Sequence, residues 1–209
     1  MTYWVLKETY PDVKVVFIDD DPQHDYAQMG DEQVPVTSDW SLGAFRAGQS
    51  NPHGFRQFLI SSTRPSTKKL LVDKARAAGL EPAPPLVHPR AHLHGAPTIT
   101  LKPGVIMYPL SLVSIHSVIG ENVHIFPGGT VGHHCTVGDC SALNSCSMIN
   151  GYVTLGEGVL LGSGSMVKEY VSIAPWATIG IQAAVIANID EPHATYAGVP
   201  AKRLPRSGS

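Results

Sequence analysis

The chain has 209 residues, 43% hydrophobic and only 15% charged, with a formal net charge of -2. That is enough for one large or two small domains with a substantial core. It is too poor in positive charge for non-specific nucleic-acid binding. There is no apolar run of membrane-spanning length and no basic-then-apolar leader, so a soluble, cytoplasmic protein without membrane insertion is expected. The three cysteines, Cys135, Cys140 and Cys146, are an odd number without a CxxC pair. They read as small buried or half-buried residues, not as a disulfide framework or a zinc site.

The first elements suggest a small α/β domain over residues 1–90. Trp4 to Thr9 reads as the end of a helix, and Val13 to Asp19 as a buried parallel strand. Gln57 to Ser62 reads as a second strand, and Ser66 to Ala78 as an amphipathic helix stopped at Gly79. Leu86 and Val87 open a third strand. Pro82, Pro84 and Pro85 mark the way out of the domain, and His88-Pro89 the way into the next. A strand–helix–strand succession belongs to an incomplete Rossmann-like unit. Such a unit begins with a strand and a glycine-rich turn, and neither precedes Trp4. Either the native gene extends upstream, or the two remaining strands pair directly and the nucleotide site is altered. The cost of unpaired backbone in a central strand favours a shortened start.

From Leu101 a period of six takes over. Steps of six meet Leu101, Met107, Val113, Ile119, Ile125, Val131, Val137, Leu143, Ile149, Leu155, Leu161, Val167, Ile173, Ile179 and Val185, without a miss. A period of six fits neither a helix nor a long strand; it is the mark of a hexapeptide β-helix. Four residues after each aliphatic sits a mostly small or β-branched residue, from Val105 to Ala183. Three hexapeptides make one triangular coil, so residues 91–190 should form a parallel β-helix. After Asn188 the sequence IDEPHATYAGVPAKRLP reads as an extended tail over 191–209, with a disordered Arg-Ser-Gly-Ser at the end.

Four segments together, VFIDDDP, LVHP, VGHHCTVGD and YAGVPAKRL, resemble the bacterial sugar O-/N-acyltransferases of the PglD/NeuD type. The resemblance implies a left-handed coil, a homotrimer, and transfer of acetyl from acetyl-CoA to an amine or hydroxyl of a nucleotide-linked sugar. It makes His133 the general base, with the N–H of Gly151, one coil on, as donor to the acetyl oxygen. The physical reason is clear. A weakly nucleophilic acceptor needs a base of near-neutral pKa, and the developing oxyanion needs a fixed donor. An acidic residue usually follows the base in this family; here His134 stands there, and it could act in place of His133. A second histidine often lies nine residues on; here Ala142 stands there, with Asn144 nearby.

For the coenzyme, the resemblance points to Ser163 and Ile181, with Asn144 near the place of the missing histidine; Gly180 and Ala183 are small enough to let it approach, and Lys202 and Arg203 could pair with its phosphates. For the sugar nucleotide it points to Asp19 and Asp20, and to Ser62 where a glycine is usual. The family glycine loop has no counterpart. His88, His92 and His94 lack the spacing and the acidic or cysteine partners of a metal site, so no metal is expected. Two other readings stay open: a hexapeptide acyltransferase with a non-nucleotide small acceptor, and a β-helix scaffold without catalysis.

Overall fold

A computed structural model describes residues 1–18, 23–24, 26–37 and 56–205. Its bulk is a parallel β-solenoid matching the left-handed hexapeptide β-helix. The strands Leu86–Val87, Ile106–Met107, His124–Ile125, Ala142–Leu143, Leu160–Leu161 and Thr178–Ile179 stack as a first face. A second face is built from His92–Leu93, Leu112–Val113, Thr130–Val131, Met148–Ile149, Met166–Val167 and Ala184–Val185. Thr100–Leu101, Val118–Ile119, Thr136–Val137, Thr154–Leu155 and Ser172–Ile173 form the third.

The hexad aliphatics are the reason this closes into a prism. Each points inward, and all but the half-buried Leu101 are buried. Every small residue from Val105 to Ala183 is buried with them, where a bulkier side chain would overfill a narrow coil. Each buried aliphatic contributes roughly 1.5–3 kcal/mol. Ser117 and Ser141, two of the inward hydroxyls, donate to the carbonyls of Gly132 and Gly156 in the next coil, at 2.8 and 3.1 Å. Successive coils keep strict register, as in Val118↔Thr136↔Thr154↔Ser172. The first coil is longer. Leu112 pairs with His92, and the excess is taken up around the short 3₁₀ turn Ala96–Thr98.

Leu86–Val87 was expected in the α/β domain. It pairs instead with Ile106–Met107 and is the first strand of the solenoid. At the other end Thr195–Ala197 adds to the first face beside Thr178–Ile179, and Lys202–Arg203 returns antiparallel to it. The tail thus covers an open strand edge.

The N-terminal residues are only partly as expected. Helix α1 (Thr2–Thr9) is followed by β1 (Phe17–Ile18), β2 (Tyr26–Met29) and β3 (Glu32–Thr37). The last two form a hairpin turning at Gly30-Asp31, and β1 runs parallel to β3. Next come β4 (Gln57–Phe58), α2 (Pro65–Ala77) and β5 (Glu81–Pro82), with β4 and β5 parallel. That is one strand–helix–strand unit, its second strand at Glu81 and not at Leu86. Helix α2 carries a proline in its first turn and ends at Gly79, whose φ of 80° suits only glycine well. Among the described residues β1 does not pair with β4, and a complete Rossmann-like sheet is not evident.

Both helices pack on the first face. Val5 joins Leu86, Ile106, Tyr108 and Phe126 in one apolar cluster, and Ile60 and Val72 join Cys140 in another. Lys68 of α2 is fully buried and donates to the Ser141 carbonyl at 3.0 Å. Burial lowers its pKa to about 7. His124, also fully buried, is held well below the usual imidazole value by burial and by the Lys68 charge.

Both groups are therefore more easily protonated in the unfolded chain. Stability should rise with pH from about 7 toward 10.5 through Lys68, by about 1 kcal/mol per pH unit. It should fall on acidification below 6.5 through His124. Lys68→Met should raise the thermal midpoint at pH 7 and flatten its rise between pH 7 and 9. Melting curves of the two proteins across that range check this.

Candidate active site

His133 sits at the edge between the second and third faces, between Thr130–Val131 and Thr136–Val137. Its neighbours Val131 and Cys135 point inward, so its own side chain leaves the core and is exposed. Gly151 lies directly over it in the next coil, as the hexad arithmetic requires. A Cβ at Gly151 would stand 2.5 Å from His133 Cε1 and 2.7 Å from Nε2, so the imidazole rests against the glycine backbone. The Gly151 carbonyl accepts from Tyr170 N–H at 3.1 Å, whereas its own N–H has no acceptor among the described residues. The imidazole thus neighbours a residue whose backbone donor is unused.

His134 occupies the corner in the left-handed region, φ 57°. Its Nδ1 is 3.1 Å from His133 Nδ1. Its ring lies between His116 and Tyr152, each 4.8 Å away centroid to centroid. Tyr170 continues the column at 4.9 Å, stacked on Tyr152. Loss of water within this column, then the charges of His116 and His133, lower the pKa of His134. Neither His116, Tyr152 nor Tyr170 was singled out from sequence. The signal was there: with His134 they recur at the coil length, one ring per coil on one edge.

The coenzyme candidates lie elsewhere. Asn144, Ser163, Gly180 and Ile181 belong to the edge between the first and second faces, where the Ser163 carbonyl accepts from Gln182 N–H at 2.9 Å. Ser163 is exposed and Ile181 74% exposed, whereas Asn144 is half-buried. The Ala183 side chain faces the core at 1% exposure, so only its backbone borders this edge. Arg203 is held in a two-pronged pair by Glu191, with Nη2 donating to Oε1 at 2.7 Å. Lys202, beside it, is exposed. Ser62 is half-buried in the link before α2, and Asp19 and Asp20 lie outside the described residues.

His88 is buried against Glu8, its Nε2 2.5 Å from the carboxylate, while the rings of His92 and His94 stack on each other at 6.3 Å. Among the described residues no three His, Cys, Asp or Glu side chains are grouped to hold a metal ion.

Comparison with known proteins bears on the fold. No protein-family model matches the sequence, and no curated protein is detectably similar to it. Solved structures are similar. PerB from Caulobacter crescentus, determined with CoA and GDP-perosamine, is 27% identical over 73% of this chain and 72% of its own, with a TM-score of 0.68. A variant of the GDP-perosamine N-acetyltransferase of the same organism, in complex with the same two ligands, is 25% identical over 73% and 71%, also at 0.68. The acetyltransferase domain of PglB from Neisseria gonorrhoeae, in complex with acetyl coenzyme A, covers 91% of this chain and 86% of its own at 0.75; at 23% identity that likeness is one of fold. The resemblance seen in the sequence therefore holds in three dimensions: the similar structures are sugar N-acetyltransferases of the hexapeptide-repeat type.

Proposed function

We propose that this chain is an acetyl-CoA-dependent acetyltransferase acting on an amine, or a hydroxyl, of a nucleotide-linked sugar. The observation that carries the reading is the His133–Gly151 pair, an exposed imidazole against a residue whose backbone N–H is unused, on a scaffold similar to sugar N-acetyltransferases. Transfer is direct. The acceptor nitrogen or oxygen attacks the thioester carbonyl while His133 takes its proton. The Gly151 N–H donates to the oxyanion, and the carbon–sulfur bond breaks as His133 returns the proton to the departing thiolate. No covalent enzyme intermediate is invoked. Cys135, close by, is buried, donates to the Asn150 carbonyl at 3.0 Å, and has its pKa raised chiefly by burial. The fit of acetyl-CoA rests on the open edge at Ser163, Gly180 and Ile181, with Lys202 toward its phosphates. Asp19, Asp20 and Ser62 are assigned to the sugar nucleotide.

The base and the coenzyme edge lie on opposite margins of the second face, so one chain cannot bring them together. A homotrimer solves this, because threefold packing sets one copy's Ser163–Ile181 edge beside the next copy's His133. The second face between them carries half-buried Leu112 and Met148 and the 52% exposed Met166, an apolar surface suited to that contact. Light scattering at micromolar concentration should return three times the chain mass, and a clean monomer would count against the arrangement.

A thermal-shift screen should show stabilisation by acetyl-CoA and, separately, by one class among UDP-, GDP- and dTDP-linked sugars. Stabilisation by acetyl-CoA together with a free amino sugar or amino acid alone would point to a non-nucleotide acceptor. No response to any of them would point to a scaffold.

A further inference from the structure

We propose that His134 is a positioning residue that fixes the tautomer of His133, accepting a hydrogen bond from His133 Nδ1–H so that the lone pair of the base stands on Nε2. This rests on the reading of His133 as the base. The geometry assigns the two nitrogens different tasks. Cε1 and Nε2 of His133 lie against Gly151, where the reacting carbonyl is placed, and Nδ1 lies farther from it. A base working at that spot needs its lone pair on Nε2, so Nδ1 must carry the hydrogen. That N–H needs an acceptor, and His134 Nδ1 stands 3.1 Å away.

The rest of the corner keeps His134 in that role. Its ring is clamped between His116 and Tyr152, and Tyr170 backs Tyr152, so it cannot swing away without breaking two ring contacts. Protonated, His134 would present an N–H and lose its acceptor function; the lowering of its pKa keeps it neutral. When His133 takes the acceptor's proton on Nε2, the Nδ1–H bond persists and steadies the imidazolium. On proton return to the coenzyme thiolate, the starting tautomer is restored. The other titratable groups of this edge are His94, His116, Tyr152 and Tyr170, the buried Cys135, and Lys168 and Glu169 one coil beyond Gly151. A neutral imidazole thus does here what a carboxylate does beside many catalytic histidines.

Imidazole ¹⁵N spectra of the full chain, with labelled histidine, test this at neutral pH without any substrate. His133 should appear as the Nδ1–H tautomer in the native protein and in His134→Asp. In His134→Ala it should revert to Nε2–H, the form imidazole ordinarily prefers in water. Kinetics give a second readout. His134→Ala should lose about tenfold in kcat with KM unchanged, and His134→Asp should recover most of it. The Asp variant should also move the acid limb of kcat/KM upward by about one pH unit, because an adjacent carboxylate favours imidazolium.

An Nε2–H tautomer in the native protein, or an Asp variant as poor as the Ala variant, overturns the proposal. Should His133→Ala keep full turnover, the assignment of the base fails instead; the spectra still decide the role of His134.

Discussion

His133→Ala is expected to lower turnover by about 10²-fold or more while leaving acetyl-CoA affinity nearly intact. The side chain is exposed at the edge of the coil, and its removal leaves no cavity in the core. The melting temperature should therefore hold, and the loss should lie in kcat. Its position explains the split. The coenzyme candidates stand across the second face, at the Ser163 edge, and lose nothing when the imidazole goes. Steady-state kinetics and a direct binding titration on the same preparation separate the two quantities. The neighbouring substitution His134→Ala should cost less, since it removes an orienting contact and leaves the base.

Gly151→Ala should be nearly as damaging to catalysis and almost silent in stability. A methyl at that Cα would stand 2.5 Å from His133 Cε1, inside any permitted contact. The atom it meets is the end of a side chain, so the imidazole can yield and the coil need not. Gly138 shows the contrast: there a methyl would meet the backbone of Gly156 and Glu157 at 2.4 to 2.6 Å, and the coil itself would have to move. When the His133 ring yields, it moves about 1 Å from its working place, and a displacement of that size can cost 10²-fold. The expected result is a kcat lowered by about 10- to 10²-fold, with the thermal midpoint within a few degrees of the native protein. A large drop in midpoint would mean that Gly151 serves the coil and not the site.

Much of this was legible in the sequence because a β-helix reports itself in one dimension. Two residues in six must face inward, an aliphatic and a small one four positions on, so Leu101 to Val185 could be read as strands in register. The same arithmetic set Gly151 over His133. It also held information that simple motif reading passed over: His116, His134, Tyr152 and Tyr170 share one edge by coil length alone.

What was illegible involved contacts with no period. The first coil begins at Leu86, hidden because the longer turn around Ala96–Thr98 breaks the spacing before Leu101. The β2–β3 hairpin hung on a single Gly-Asp pair in a polar stretch. The capture of Arg203 by Glu191 depends on the path of the tail, which no local pattern gives. Burial of Lys68 could not be foreseen either, because an amphipathic reading of its helix does not say which lysine the first face of the solenoid takes inward.

Acetyl transfer itself is tested by an end-point assay. The protein is incubated with acetyl-CoA and a panel of GDP-, UDP- and dTDP-linked amino sugars, and the products are read by mass spectrometry alongside the free thiol released. At least one of these sugars should gain a single acetyl group, with one equivalent of thiol released per acetyl transferred, and His133→Ala should slow both signals by about 10²-fold or more. Acetyl-CoA left unconsumed with every nucleotide-linked sugar, by a protein that is folded and binds the coenzyme, would contradict the proposed activity.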